Sequence, residues 1–286
     1  MAISAQDVKT LREKTGAGIM DCKQALADTD GNIDKAIKLL REKGLAEAQK
    51  RSEREAKEGI ITVGFNKEND VACMVEVNCE TDFVSRTDKY RDFVENLAKT
   101  VLERELENPQ ELSEDVVNMV KDAISTFGEN IILRKIARFE KSDKAKSVFQ
   151  SYIHMGGKVG VLVEFLLENT NMANNNDFQE FAKNVALQVA SMSPYAISRD
   201  DFSEEIMNEQ KEIFTKQAQE SKKPENIIEK IVKGKMEKFF SETSLLEQKF
   251  VKDTNITIGK YLTDTQDKAG GKIDLNRFAR FKLGEE

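Results

Sequence analysis

The sequence is short of the residues that most catalytic and metal sites need. Its 286 residues include one histidine, His154, and three cysteines, Cys22, Cys73 and Cys79. The spacing of Cys73 and Cys79 matches no zinc signature, and no second histidine is present to complete such a site. A sparse, odd set of cysteines indicates free thiols and a reducing, cytoplasmic setting. We therefore expect a protein that is not an enzyme and that holds neither a metal nor a cofactor.

The glycine-containing segments are poor candidates for phosphate binding. Gly156-Gly157-Lys158 lacks the earlier glycine of a P-loop, and Val159 stands where a P-loop has Ser or Thr. Gly16-Ala17-Gly18 follows no strand, and Asp21 stands where a dinucleotide-binding motif has glycine. We interpret both segments as turns.

Long apolar runs and one-sided charge are also missing. Hydrophobic residues make up 39% of the chain and charged residues 33%, with a net charge of -7. This composition predicts a folded, soluble protein, and the lack of a dense basic patch argues against direct nucleic-acid binding. No stretch approaches the ~20 apolar residues of a membrane span. Residues 1–11 lack the apolar segment of a signal peptide, so no membrane is expected among the partners.

Periodic patterns are present, and they change along the chain. Apolar residues at helical spacing and capping residues predict the helices, whereas β-rich runs with turn residues between them predict the strands. The resulting fold class is α+β, with helices packed on antiparallel sheets. The predicted segments are a three-helix domain at 1–44 closed by Lys43-Gly44, a charged helical linker at 45–58, core subdomains at 59–140 and 141–202, an antiparallel helical hairpin at 203–240 broken at Ser221-Lys222-Lys223-Pro224, and a return to the second subdomain at 241–286 with a final strand.

An internal repeat links the two core subdomains. A shift of 88 positions aligns the pattern of one with that of the other. Matching pairs are Val71 with Val159, Val75 with Val163, Glu76 with Glu164, Tyr90 with Phe178, Phe93 with Phe181 and Val101 with Val189. The sequence therefore predicts two copies of one unit, a hairpin followed by an amphipathic helix.

The segment Thr81-Asp82-Phe83-Val84 lies between a predicted strand and an amphipathic helix, in a connection expected to be exposed. Under the same shift Phe83 falls on Asn171, so the second copy has no aromatic residue there. The shared fold thus does not require Phe83. Two interpretations stay open: Phe83 packs back on its own helix as a hydrophobic staple, or it is an exposed anchor for a partner.

Two long motifs stand out: LREKTGAGIMDCKQAL at 11–26 and EVNCETDFV at 76–84. With shorter matches at 128–131, 154–163 and 239–250, they resemble the elongation factor Ts family over nearly the whole chain. The resemblance implies a guanine nucleotide exchange factor that binds elongation factor Tu and promotes GDP release during translation elongation. It also implies that the three-helix domain is ubiquitin-associated-like, that the core is duplicated and that the helical hairpin is an inserted coiled-coil arm.

The resemblance also assigns roles to individual residues. Thr81, Asp82, Phe83 and Val84 match the segment that intrudes beside the magnesium and phosphate site of the GTPase. Leu11, Arg12, Ile19 and Met20 match an N-terminal docking contact, although Leu11 and Ile19 can alternatively fill the core of their own domain. His154 matches a segment that approaches the far domains of the partner, and its alternatives are an acid/base group and an ordinary surface turn residue.

Another class of function remains open at this stage. An adaptor or chaperone-like protein would use the three-helix domain to hold a polypeptide. The segment at 81–84 separates the two hypotheses, because an adaptor has no use for it. The helical stripes of 203–240 also suggest self-association, so a homodimer is a further hypothesis.

Overall fold

The computed structural model of the chain describes residues 3–15, 17–51, 53–220 and 223–285. It is a mixed α and β protein with antiparallel sheet, as the sequence predicts. The chain divides into two compact units. One comprises Met1–Glu140, Met155–Gly160 and Phe281–Glu286, and the other comprises Lys141–His154 and Val161–Arg280. Within the described ranges, no helix is both long and apolar enough to cross a membrane.

The N-terminal helices are α1 (Ala5–Thr15), α2 (Ile19–Asp28) and α3 (Ile33–Arg51). Ser4 caps α1, since its Oγ accepts a hydrogen bond of 3.1 Å from the backbone N–H of Asp7. Asn32 caps α3 in the same way, accepting 2.9 Å from Lys35 N–H. The helices enclose a small core of Leu11, Cys22, Ala25, Leu26, Ala36 and Leu40.

Helix α3 does not end where the sequence analysis placed its end. The predicted closure at Lys43-Gly44 is wrong, because the helix continues through Gly44 to Arg51. A glycine inside a helix costs only about 1 kcal/mol, and the residues that follow, LAEAQKR, are almost all strong helix formers. Local propensity therefore outweighs the glycine. Gly16, in the predicted loop after α1, lies outside the described residues.

The first core subdomain contains, in chain order, β1 (Glu58–Phe65), β2 (Val71–Cys79), α4 (Asp82–Ser85), α5 (Asp88–Glu103), α6 (Glu114–Phe127) and β3 (Ile132–Glu140). The strands form an antiparallel sheet in the order β1-β2-β3. Strand β2 is central and almost completely buried. The apolar faces of α5 and α6 pack in the same cluster as alternate residues of β2.

The second subdomain contains β4 (Ser147–His154), β5 (Val159–Leu167), a 3-10 turn at Thr170–Asn174 and α7 (Asn176–Met192). A 3-10 turn at Arg199–Asp201 precedes the helices α8 (Glu204–Gln219) and α9 (Glu225–Thr243). The chain then forms β6 (Lys249–Phe250), β7 (Asp253–Thr257), α10 (Ile258–Ala269) and β8 (Ile273–Lys282). Its larger sheet has the order β4-β5-β8, and its core is rich in aromatic rings.

Helices α8 and α9 pack on each other through a few contacts. The rings of Phe214 and Phe239 lie 6.4 Å apart, and Lys235 donates a hydrogen bond of 2.6 Å to the side chain of Gln217. Two residues of the predicted break, Ser221 and Lys222, lie outside the described residues. That this pair forms a coiled-coil arm, or that it associates with a second copy, stays a prediction.

The elements of the two subdomains fall at matching positions. Strands β2 and β5 begin and end 88 positions apart, and α5 and α7 begin 88 positions apart. The caps match as well: Thr87 accepts from the N–H of Tyr90, and Asn175 accepts from the N–H of Phe178. The order β1-β2-β3 in one sheet corresponds to β4-β5-β8 in the other.

Each copy buries one glutamate at the same place in its central strand. Glu76 and Glu164 are both fully buried. The carboxylate of Glu164 accepts hydrogen bonds from the backbone and side chain of Ser142 and from the side chains of Asn276 and Arg277, at 2.7–3.0 Å. Burial alone would raise the pKa of Glu164, but these hydrogen bonds outweigh it and lower the pKa to about 2.

A carboxylate with a lowered pKa stabilises the fold above its ordinary pKa. We expect Glu164→Gln to lower the free energy of unfolding by roughly 3 kcal/mol at neutral pH. In the wild type this contribution is lost as the pH falls from the ordinary value of 4.5 towards about 2. Denaturant unfolding at pH 7, 5 and 3 measures it, with Glu229→Gln as an exposed control. Equal pH slopes for Glu164→Gln and wild type would contradict the assignment.

Candidate functional site

Phe83 lies on the short helix α4 between β2 and α5, and its side chain is 83% exposed. The next residue, Val84, turns inward and packs against the core of the first subdomain. A hydrophobic staple would bury the ring against its own helix, so the exposure of Phe83 is at odds with that interpretation. The structure favours the other one, an exposed aromatic anchor.

Local hydrogen bonds fold the segment Thr81–Ser85, here called the Phe83 turn. Thr81 is the N-cap of α4, and its Oγ1 lies 3.5 Å from the N–H of Val84. Its backbone oxygen accepts from the N–H of Ser85 at 3.3 Å and from the thiol of Cys79 at 3.2 Å. Burial raises the pKa of Cys79 to about 11, so at neutral pH the thiol keeps the proton that it donates. Asp82 pairs with Arg86 at 2.8 Å on the surface.

A carboxylate from the loop between α6 and β3, that of Glu129, binds the same turn. Glu129 Oε2 accepts from the backbone N–H groups of Glu80 at 3.1 Å and Thr81 at 3.0 Å. Its Oε1 accepts from the hydroxyl of Thr81 at 2.5 Å. Glu80 in turn accepts from the N–H of Asn130 at 2.7 Å. The Phe83 turn is therefore tied to the loop before β3, which lies almost fifty residues further along the chain.

The corresponding turn of the second subdomain is built differently. Asn171 is exposed at the position that matches Phe83, and Met172 is buried at the position that matches Val84. The register of the repeat thus holds at this point, with one residue facing out and the next facing in. The second copy forms a 3-10 turn in which Asn169 makes no side-chain cap. An exposed ring on a capped helix is a property of the first copy alone.

The N-terminal candidate residues separate into buried and exposed positions. Leu11 is fully buried in the core of the three helices, so its side chain is not available to a partner, and the alternative reading that it fills that core is the one the structure supports. Ile19 is 54% exposed and Met20 is 71% exposed, both on the first turn of α2. Arg12 is exposed on α1. We call Arg12, Ile19 and Met20 the docking face.

A groove of about 500 Å³ runs along the docking face. Its apolar lining includes Ile3, Val8 and Ile19, and cationic side chains of Lys9, Arg12 and Lys23 stand at its edge. A second, polar hollow of about 360 Å³ is lined by Lys9, Arg12 and Glu13 together with Lys89. Lys89 stands at the start of α5, only a few residues after the Phe83 turn. Arg12 and the helix that follows Phe83 therefore share one surface.

His154 ends β4 and is exposed. Its Nδ1 lies 2.9 Å from the hydroxyl of Tyr152, and the two rings stack with centroids 5.8 Å apart. The sequence analysis did not single out Tyr152, although it lies two residues before His154 on the same face of the strand. The pair presents an oriented imidazole at the surface, which suits a contact with a partner.

The turn after His154 depends on its glycines. Gly157 has a φ of +100°, and a Cβ on it would lie 2.7 Å from the Cγ2 of Ile60. Its carbonyl oxygen accepts a hydrogen bond of 2.8 Å from the N–H of Ile61. These glycines therefore let the backbone pass close to β1, which supports their interpretation as a turn.

These features suit a macromolecular partner. Across the part of the chain that the structure describes, no group of three or more His, Cys, Asp or Glu side chains is placed to hold a metal ion. Sequence patterns found the exposed residues but missed Glu129 as a member of the site. Its contacts with Thr81 span 48 residues, and no local periodicity signals such a distant pair.

Comparison with known proteins gives a consistent result. A family model described as elongation factor TS matches residues 80–285, which is more than half of the chain. Proteins named elongation factor Ts from Halothermothrix orenii and Clostridium kluyveri are 42% and 44% identical to it, over 100% and 99% of this chain and 93% of each relative. The one from Aquifex aeolicus is 38% identical over 99% of both chains.

The contrast between Leu11 and Met20 can be tested by stability. We expect Leu11→Ala to destabilise the three helices by about 2–5 kcal/mol, because it leaves a cavity in their core. Met20→Ala serves as the matched control and should change stability by less than about 0.5 kcal/mol, since its side chain is mostly in solvent. Hydrogen exchange of the amides of α1 and α2 in the full chain measures both. Similar protection in the two variants would argue against the assigned burial.

Proposed function

The chain belongs to the elongation factor Ts family and is a translation elongation factor; from that premise we propose that it binds elongation factor Tu in its GDP-bound form and accelerates the release of GDP. In this role it is an exchange factor that does no covalent chemistry of its own. The docking face and His154 hold the partner. The Phe83 turn disturbs the partner's nucleotide site.

One observation carries the proposal: an 83% exposed phenylalanine on a turn whose backbone is capped and bound to Glu129. An exposed ring gains nothing from its own fold, because burying apolar surface is what makes such a side chain stabilising. The matching position in the second copy, Asn171, is polar, so the repeat folds without an aromatic there. Phe83 therefore has a use outside this chain.

The chemistry of the partner explains what that use is. A GTPase holds GDP mainly through phosphate contacts to a glycine-rich loop and through a magnesium ion. Magnesium demands near-ideal octahedral geometry and tolerates little displacement of its ligands. A ring inserted beside this site shifts the partner's backbone, the magnesium loses its ligands, and GDP loses its strongest contacts. Asp82 at the start of α4 enters the same region.

The energies require more than one contact. Exchange factor and nucleotide weaken each other's binding through one shared coupling free energy. Emptying a site that is mostly filled takes about 5 kcal/mol of differential binding. A single buried phenylalanine supplies only about 1.5–3 kcal/mol. The docking face and His154 must add affinity for the nucleotide-free partner, so we expect a wide interface with several contact regions.

The contact on the N-terminal helices consists of Ile19, Met20 and Arg12. The two apolar side chains and the adjacent groove suit an apolar ridge on the partner, and the surrounding Lys9, Arg12 and Lys23 suit acidic residues beside that ridge. Leu11 supports this surface from inside the core and takes no part in the contact itself.

Replacing Phe83 tests the proposal. We expect Phe83→Ala to lower the maximal rate of GDP release by about ten- to a hundredfold, the range that corresponds to the burial of one phenylalanine. The concentration for half-maximal stimulation should change much less, because the docking contacts remain. Stopped-flow release of fluorescent GDP from elongation factor Tu, titrated with the protein, measures both quantities.

Asn171→Ala is the matched control, since it changes the equivalent position of the second copy and should leave the maximal rate as in the wild type. An unchanged maximal rate for Phe83→Ala would refute the role of the ring. The adaptor hypothesis would be favoured instead if the wild type bound its partner without accelerating GDP release.

A charge on the docking face should act on affinity alone. We expect Met20→Asp to raise the concentration for half-maximal stimulation at least about tenfold, because a carboxylate would be desolvated in an apolar contact. The maximal rate at saturation should stay near that of the wild type. Met20→Leu keeps an apolar side chain and is the control. If titration gives the same midpoint for Met20→Asp and Met20→Leu, the docking face lies elsewhere.

A further inference from the structure

In both copies of the repeat, a similar connection leads from a helix into the last strand of the three-stranded sheet, which is β3 in the first copy and β8 in the second. Helix α6 ends at Gly128 with φ of +74°, and α10 ends at Gly270 with φ of +75°. In each copy, the backbone N–H of the second residue after this glycine donates to a glutamate that directly follows the central strand. Glu80 accepts from Asn130 at 2.7 Å, and Glu168, 88 positions after Glu80, accepts from Lys272 at 2.8 Å.

By this correspondence, Gly271 of the second copy is the residue equivalent to Glu129 of the first. The three hydrogen bonds that Glu129 accepts from Glu80 and Thr81 therefore have no counterpart. A Cβ on Gly271 would lie 2.8 Å from the Sδ of Met172, so the buried side chain of Met172 occupies the space in which a side chain at position 271 would lie. The second copy forms the same connection, and Glu168 binds its backbone as Glu80 does in the first copy. It does so without a carboxylate at the position equivalent to Glu129.

Two departures from the repeat thus occur together in one copy. The first copy has an exposed phenylalanine and a carboxylate, that of Glu129, which binds its turn. The second has Asn171 and Gly271. The carboxylate of Glu129 is partly buried and binds Thr81, which is the N-cap of the helix that carries Phe83. We propose that Glu129 is a positioning residue for exchange: it fixes Thr81 and thereby the direction in which Phe83 points.

The physical reason follows from the proposed function, on which this inference rests. A ring displaces a partner's backbone only if its own backbone is the stiffer of the two; otherwise the turn yields and the partner's nucleotide site keeps its geometry. Hydrogen bonds to a carboxylate are about twice as strong as neutral ones, and they fix the groups that donate them. A side chain whose effect depends on its position to within tenths of an ångström needs neighbouring groups that hold it in place.

Removing the carboxylate tests the role. In the full chain, we expect Glu129→Ala to lower the maximal rate of GDP release from elongation factor Tu about tenfold, while the half-saturating concentration stays within about twofold. Glu129→Gln should restore most of the rate, because its amide oxygen accepts both backbone N–H groups and its NH₂ can donate to the Thr81 hydroxyl. The amides of Glu80 and Thr81 should exchange with solvent faster in Glu129→Ala alone.

Glu168→Ala is the matched control. It removes a glutamate that binds the backbone in the second copy, so it costs stability there without touching the Phe83 turn. Its maximal rate should equal that of the wild type. A purely structural role for Glu129 predicts that the Ala and Gln variants differ in melting temperature alone and share one maximal rate, and that result would overturn the proposal.

A double-mutant cycle guards against a variant that folds poorly. Thr81→Val removes the hydroxyl that joins Glu129 to the helix cap. If Glu129 acts through Thr81, the double variant is no slower than the slower single variant, whereas additive losses would overturn the proposal. Phe83→Ala separates the two hypotheses. A wild-type rate for Phe83→Ala refutes the role of the ring in the proposed function, but a slow Phe83→Ala beside a fast Glu129→Ala refutes the positioning role alone.

Discussion

The Phe83 turn has to be held by residues outside it, because a helix of four residues has no stability of its own. Fixing the first turn of a helix costs more than its few hydrogen bonds recover. The exposed ring of Phe83 adds nothing to this balance. The turn is stable because Val84 packs into the core and because Thr81 is bound to Glu129. Those contacts decide where an otherwise unconstrained aromatic ring points.

The duplication supplies an internal reference for separating what the fold needs from what the function needs. The central strands β2 and β5 both bury a glutamate, Glu76 or Glu164, and both lead into a capped amphipathic helix. Features found in both copies are explained by folding alone. Phe83 and Glu129 are each found in one copy, so the shared architecture does not account for them. Because both copies lie in one chain, they share the same solvent and expression conditions, which two separate proteins do not.

Sequence reasoning predicted most of the architecture because its signals are local. The β-rich run of β2 and the helical spacing of apolar residues in α5 lie within windows of ten to fifteen residues, and the structure has the predicted hairpin followed by an amphipathic helix. Where a prediction is wrong, either a neighbouring propensity or tertiary packing decides. Lys43-Gly44 predicts a helix end, yet the helix formers after it carry α3 to Arg51. Leu11 was grouped with Met20 by motif, but only three-dimensional packing separates a core leucine from an exposed methionine.

Docking and nucleotide displacement place different demands on a side chain. A contact that holds the partner equally well with and without GDP raises affinity but contributes nothing to the coupling between exchange factor and nucleotide. Only a group that contacts the part of the partner that moves when GDP leaves can contribute to this coupling. In the proposed function, Met20 meets the first demand with a flexible side chain that adapts to its contact. Phe83 is proposed to meet the second, which requires a rigid base. The two sites differ in this way in the structure. Among the described contacts, no carboxylate binds the backbone of the docking residues, whereas Glu129 binds the backbone of the Phe83 turn.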